Sequence, residues 1–428
     1  MLRVRLTKRT VFLHSLLPIL LAVYLSWMPF SEPILNEVSL EYLRFSEAYP
    51  LGYPVFLNVI ELFSLNRMWV VHAQIWFFAF SVFYLSLSIF KNTNNNLHSL
   101  LISLPILFNP YSLSVHYAIL PQSLFLSFSL LALAFFISSF GRCWVLNLAG
   151  FGFSIACCIL LEANGWAYLI LLLFAAPLIA RKNNCSFAKV FFIPAVVCTL
   201  FVTIESTTHS AVHERSTDKP HAPHVFFGAA LMDTTQDSPY AEKDPRTVIW
   251  SLIETELANV RAEIWQTASF DDRLSLLNYH KQLIKNGFAQ QEISQAAQLL
   301  EKSENEIRMD IANARIIQDP LAFLKITWDH YRALWHVDYR LTYPLWIISV
   351  LTLLIGLWCM LSGVKFNPMF ALAFICACAL QAQTLWIAHV GIGPAHIVTQ
   401  LGSLLSTLFI ALLIGFYIAV VSPLRNDA

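Results

Sequence analysis

The chain has 428 residues, 57% of them hydrophobic and 13% charged, with 27 basic and 27 acidic side chains. A mean hydropathy of +0.60 excludes an ordinary soluble globular protein and points to an all-α polytopic membrane protein. The balanced charge hides an asymmetry: residues 207–343 hold 19 acidic and 14 basic side chains, the rest of the chain 8 and 13, and this pattern excludes a nucleic-acid binder, which would show a basic face.

In chain order, the basic N-terminus MLRVRLTKR precedes an apolar run. It resembles a signal peptide, but no small-residue cleavage site follows, so a retained membrane helix is expected. A span needs about 20 apolar residues. On that rule ten are predicted: 11–30, 68–90, 97–115, 122–140, 145–163, 165–181, 189–206, 343–362, 367–388 and 399–421. Asn109-Pro110 is a candidate break in the third, and Glu162-Ala163-Asn164-Gly165 a tight turn between the fifth and sixth. Basic residues in the short loops place both termini in the cytoplasm, with Lys91, Arg142, Arg181, Lys182, Lys189, Lys365 and Arg425 on the same side. A bacterial cytoplasmic (inner) membrane is the expected location. The domains expected are a membrane module over 1–206 with a first outer loop at 31–67, a soluble outer (periplasmic) helical domain over 207–342, and C-terminal membrane helices over 343–428.

The first outer loop is the chemically distinctive stretch. Glu32, Glu37, Glu41 and Glu47 crowd into its residues 31–54, while only Glu61, Glu162, Glu205 and Asp427 are the other acids outside the large loop. Glu37 and Glu41 share a face on a helix. Pro33 suits a first helical turn, and Ile34, Val38, Tyr42 and Phe45 predict a helix lying flat on the bilayer. The plain alternative is a polar connector with solvated carboxylates.

The large loop reads as helices. Asp244-Pro245 opens one that continues through Ile264, Asp271 caps another running to Asn286-Gly287, and Ile293, Ala296, Ala297 and Leu300 share a face. Ser303 and Glu306 form a capping box, and Asp319-Pro320 opens the last helix. The eight cysteines fall in apolar runs or short connectors, which argues against a disulfide framework in this domain.

Walker, Rossmann, nucleophile-elbow, CxxC and HExxH signatures are absent. His209, His213, His221 and His224 are the one weak metal motif, weighed against a loop with scattered histidines. The sequence requires no cofactor, and nothing in it supports a divalent metal. Arg332, His336 and Arg340 form a cationic stripe on a helix, suited either to a lipid-linked phosphate or to an interfacial belt. His396, with His389, flanks a Gly-Pro turn and is a further headgroup candidate. Glu162 falls at the outer end of a span, close enough to the surface to be wet.

This layout resembles the GT-C superfamily of polyprenyl-phosphate-sugar-dependent glycosyltransferases, of the protein O-mannosyltransferase and lipid A aminoarabinose transferase type. The resemblance rests on Asn36-Glu37, Tyr42 and Leu51-Gly52-Tyr53-Pro54-Val55-Phe56-Leu57, on Pro121-Gln122-Ser123-Leu124-Phe125-Leu126, and on Glu162-Ala163-Asn164-Gly165. It covers about the first 200 residues by pattern and the remainder by layout. The family's usual catalytic Asp is missing from the Asn36-Glu37 pair, and Glu162 replaces an Arg. Either the base is a Glu here, or the donor or chemistry differs, or activity has been lost.

The resemblance implies a GT-C-like bundle of about ten spans and an inverting transferase. It would move a sugar from a polyprenyl-phosphate donor to an acceptor hydroxyl on a lipid, polysaccharide or protein. Glu37, with Glu41 second, would be the catalytic base. Arg332, His336, Arg340 and His396 would hold the donor phosphate. The rival readings are a transporter or flippase for a lipid-linked glycan, and a catalytically inactive membrane scaffold.

Overall fold

The computed structural model describes residues 7–28, 32–35, 37–46, 49–141, 143–213, 222–267, 269–336, 342–362, 367–389 and 402–421. Among them the chain is all-α; the one β-type contact is an isolated bridge between Ile34 and Ala118. Among the described residues eight helices are long and apolar enough to cross a membrane, and two more apolar helices are shorter. The protein is an integral membrane protein.

The chain divides into two compact units. The first comprises Met1–Ser216, Leu345–Gln383 and Val398–Ala428, the second Thr217–Pro344 and Thr384–Ile397. The first unit opens with α1 (Lys8–Ser26), α2 (Glu37–Leu43), α3 (Gly52–Glu61), α4 (Met68–Thr93), α5 (Asn96–Leu107), α6 (Pro110–Val115) and α7 (Gln122–Ser138). It continues with α8 (Trp144–Leu161), a 3-10 turn (Ala163–Tyr168), α9 (Leu169–Asn183) and α10 (Phe187–His213). The expected break at Asn109-Pro110 is present. The Asn109 side chain accepts from the Tyr111 N–H at 3.1 Å and restarts the chain as α6, with Pro110 in its first turn. Asn94 and Asn184 end α4 and α9 in the left-handed conformation that asparagine tolerates best after glycine.

Helices α4, α7, α8 and α10 pack in succession. Their interior is studded with hydroxyls, which a bilayer cannot hydrate. Ser81, Ser88, Ser127, Ser129 and Ser154 each donate to the carbonyl four residues earlier, at 2.8–2.9 Å. Small side chains with internally paired hydroxyls let the backbones approach without stranding a polar group.

The second unit contains α11 (Ala222–Ala230), α12 (Pro245–Glu256), α13 (Ala258–Gln266), α14 (Phe270–Asn286), α15 (Gln290–Leu300), α16 (Glu304–Gln318) and α17 (Pro320–His336). The remaining helices are α18 (Thr342–Ser362), α19 (Pro368–His389) and α20 (Gly402–Val421). Phe226, Phe227, Trp250, Ile253, Ile293 and Ile311 centre the second unit's core. The Asp244 cap and the Ser303–Glu306 capping box form as predicted. Two expectations are corrected. The helix from Pro245 breaks at Leu257, and Arg261, just beyond, folds back onto Glu254 of the preceding helix at 2.7 Å. Helix α14 begins at Phe270, one residue before Asp271. Ser269 accepts from the Asp272 N–H at 3.4 Å, and Asp271 lies within the first turn, where its charge favours the helix start.

The core of this unit encloses a charge. Arg315 has no exposed side-chain surface. Its Nε donates to the Ala229 carbonyl at 2.9 Å, its Nη1 to Glu254, and its guanidinium lies 5.1 Å above Trp250. Glu254 thus serves both Arg315 and Arg261. Removing it strands two buried cations, so Glu254→Ala is expected to cost about 3–5 kcal/mol, read as a lowered unfolding midpoint of the detergent-solubilised protein.

Candidate functional site

The first loop is less helical than its spacing predicts. Ile34 is in no helix: its N–H donates to the Tyr117 carbonyl at 2.8 Å, and its carbonyl accepts from the Ile119 N–H at 3.1 Å. Helix α2 has only seven residues, and Phe45 lies beyond it at φ 59°. The flat helix from Ile34 to Phe45 is therefore not formed, because the bridge takes the backbone at one end and a left-handed residue stops it at the other. What α2 delivers is Tyr42, which is buried and packs on Tyr49 and Tyr53 with ring centroids 4.6 and 5.2 Å away. Burial raises the pKa of both Tyr42 and Tyr49. Glu162 adds to both shifts and Glu41 to that of Tyr49. Two carboxylates distant in sequence therefore act on one phenol, Tyr49.

Glu162 is not the wet carboxylate expected. It is the hinge between α8 and the 3-10 turn, with extended backbone at φ −155°, ψ 142°. Part of the residue keeps some exposure, but Oε2 is sealed from solvent and accepts no hydrogen bond. Burial pushes its pKa up to about 7, against the lowering effect of hydrogen bonds from Gln122 and Asn164. Gln122 Nε2 donates to Glu162 Oε1 at 3.1 Å. Gln383 Nε2 donates to the Asn164 carbonyl at 3.0 Å. The turn is locked by close backbone approach: a Cβ on Gly165 would collide with the Cys158 carbonyl carbon, and one on Gly52 with the Leu160 carbonyl.

Gly52 begins α3, and the Leu51 N–H just before it donates to Glu205 Oε1 of α10 at 3.0 Å. An acceptor there satisfies a donor the helix start would otherwise leave open. Tyr53 donates to Gln74 at 3.3 Å, and Gln74 in turn donates to the carbonyls of His116 and Ala118 at 3.2 and 3.1 Å. The far end of α3 lines an apolar groove of about 650 Å³ together with α1 and α4, walled by Trp27, Ile60, Phe63, Trp69, His72 and Trp76. A ten-residue helix is about 15 Å long, and this one joins the carboxyl cluster at its start to the aromatic groove at its end.

The other expected site residues fall elsewhere or cannot be followed. Glu41 is half-buried. The side chains of Glu37 and His336, and the whole of His221, Arg340 and His396, lie outside the described residues. Arg332, in the second unit, is exposed, with its guanidinium 4.2 Å above the Phe270 ring. His209 and His213 lie side by side on α10 with ring centroids 4.6 Å apart, and His224 belongs to the second unit. Among the described residues no three His, Cys, Asp or Glu side chains gather as a metal site would require. Gln122 and Gln383 were not anticipated as site residues. Gln122 belongs to a segment that carries the family resemblance, and the sequence signal of Gln383 is an amide within a strongly apolar helix.

No protein-family model, curated protein or solved structure matches this chain. The reading of the site therefore stands on its own geometry. Overpacking the turn tests that geometry: Gly165→Ala is expected to cost about 1–3 kcal/mol, measured as a lowered unfolding midpoint in detergent, and to separate Glu162 from Gln122.

Proposed function

We propose that this protein is an inverting glycosyltransferase of the GT-C type, moving a sugar from a polyprenyl-phosphate donor to an acceptor hydroxyl at the outer face of a bacterial inner membrane. One observation carries the reading: α3 connects a cluster of buried carboxyl and phenol groups to an aromatic groove open to an apolar chain. An isoprenoid tail suits such a groove, because it offers apolar area and no polar group to satisfy. The cluster suits the other half of the reaction, in which an acceptor hydroxyl loses its proton as it attacks the anomeric carbon. Either Glu41 of the first loop or Glu162 of the turn takes that proton. Glu37, the first choice from sequence, stays a proposal on its position alone. Polyprenyl phosphate is a competent leaving group, so the reaction needs no nucleotide site. Arg332, His336, Arg340 and His396 remain proposals for the departing phosphate on their sequence positions. The bundle of about ten spans, the cytoplasmic termini and the outward-facing second unit belong to the same reading.

The test is turnover of radiolabelled polyprenyl-phosphate sugars by the purified protein in vesicles. Time-dependent release of polyprenyl phosphate supports the transferase. Its absence with every donor sugar tried sinks this reading and favours a transporter or scaffold. Phe63 is 85% exposed, so Phe63→Asp leaves folding intact. It is expected to raise KM for the lipid donor about tenfold by placing a charge in the groove, with kcat little changed.

A further inference from the structure

We propose that Glu162, flanked by Gln122 and Gln383, is the group that binds the acceptor hydroxyl and removes its proton. The inference rests on the transferase reading and assigns within it a role that the first-loop acids were expected to fill.

Glu162 Oε2, Gln122 Oε1 and Gln383 Oε1 are each buried with no hydrogen-bond donor. Gln122 and Gln383 are 7% and 0% exposed, so neither oxygen turns to bulk water instead. Their orientation is fixed by what their nitrogens do. Gln122 must present its NH₂ to the Glu162 carboxylate, and Gln383 must present its NH₂ to the Asn164 carbonyl. Both amides are therefore obliged to leave an acceptor over. Gln122 meets Glu162, and Gln383 meets the backbone of Asn164 two residues further along, so α7 and α19 both hold this turn. A buried acceptor left unmet costs about 1–3 kcal/mol. Three on and around one turn describe a place prepared for hydrogen-bond donors.

The electrostatics select the kind of donor. The titratable groups that act with Glu162 are Tyr42 and Tyr49 from the first loop, Cys158 from α8 and Tyr168 from the 3-10 turn. Glu41 reaches the cluster through Tyr49. All are neutral or acidic, and no cationic side chain is among the groups perturbing the Glu162 carboxyl. A phosphate or other anion would be repelled there. A hydroxyl is neutral, brings an O–H to the carboxylate, and leaves its proton where negative charge is uncompensated. In the step itself the acceptor O–H breaks and its proton passes to Glu162. The oxygen lone pair forms the new bond to the anomeric carbon. The bond from that carbon to the phosphate oxygen breaks, and its electron pair leaves with polyprenyl phosphate. A carboxyl that titrates near neutrality suits a proton acceptor, since it is half ionised yet basic enough to take the proton.

The experiment uses the full-length protein in vesicles, with a polyprenyl-phosphate sugar that the wild type turns over. Rates are measured from pH 5.5 to 8.5 for the wild type, Glu162→Gln and Glu162→Asp. Gln keeps the size of Glu and still accepts from Gln122, so folding is expected to survive, checked by the unfolding midpoint. The wild-type rate is expected to fall about tenfold per pH unit below 7 and to level off above it, because only the ionised carboxylate acts. Glu162→Gln is expected to lose about 100-fold or more and to lose the pH dependence. Glu162→Asp should keep measurable turnover with a displaced midpoint. Wild-type rates and an unchanged pH profile in Glu162→Gln would overturn this inference, reduce the cluster to a seat for internal water, and leave the transferase standing. A wild type that turns over no donor would instead remove the transferase reading, and the role of Glu162 with it.

Discussion

A bilayer interior offers no water, so every polar group placed there must be met by the protein itself. Most of the first unit follows from that constraint. Serine hydroxyls fold back onto their own helices. Asparagines cap helix ends or reach a neighbour's carbonyl, as Asn92 does to Ile137 at 3.1 Å and Asn183 to Ser139 at 2.9 Å. His14 is held between Ser86 and Asn96 at 2.8 and 3.1 Å. Most of these groups are paired; the unmet oxygens of Glu162, Gln122 and Gln383 are among the exceptions, together with Ser26, His116 and Tyr168.

The second unit meets much of its buried charge internally. Arg315 is tied to Glu254, to a backbone carbonyl and to an aromatic face. Arg246 bridges Asp244 and Asp310 at 2.7 and 3.0 Å and lies 4.2 Å above Tyr240. Side chains that helical periodicity assigns to a solvated face therefore hold helices together, and the unit's density of charge is partly internal.

The helices were legible because hydropathy, asparagine and proline punctuation and the capping box act locally. Asn109-Pro110, Asp244-Pro245 and Ser303–Glu306 each do what short-range chemistry predicts. The candidate site was not legible, because its members are joined only by folding. Residue spacing drew attention to Glu37 and Glu41, which are neighbours on a helix. It gave no weight to Gln122 or Gln383, whose significance lies in the turn they meet. The same limit explains Ile34 and Phe45. Their period suits a helix, but the Ile34 backbone pairs with Tyr117 and Ile119 instead, and Phe45 takes a left-handed conformation. Glu162 was noticed, yet its depth depends on Gly165 and Gly52 closing the backbone around it.

The clasp on α3 bears on the order in which the chain matures. Ile34 waits for residues 117–119, Leu51 for Glu205 and Asn164 for Gln383. A ribosome feeding the membrane from the N-terminus delivers these partners in that sequence, the last of them near the end of synthesis. The first loop is made early but stays unfinished until α10 has been threaded, and the Glu162 turn until α19 arrives. A nascent chain arrested before α19 would hold the Glu162 turn without the Gln383 amide that meets its Asn164 carbonyl, so this turn is completed only once translation is nearly done.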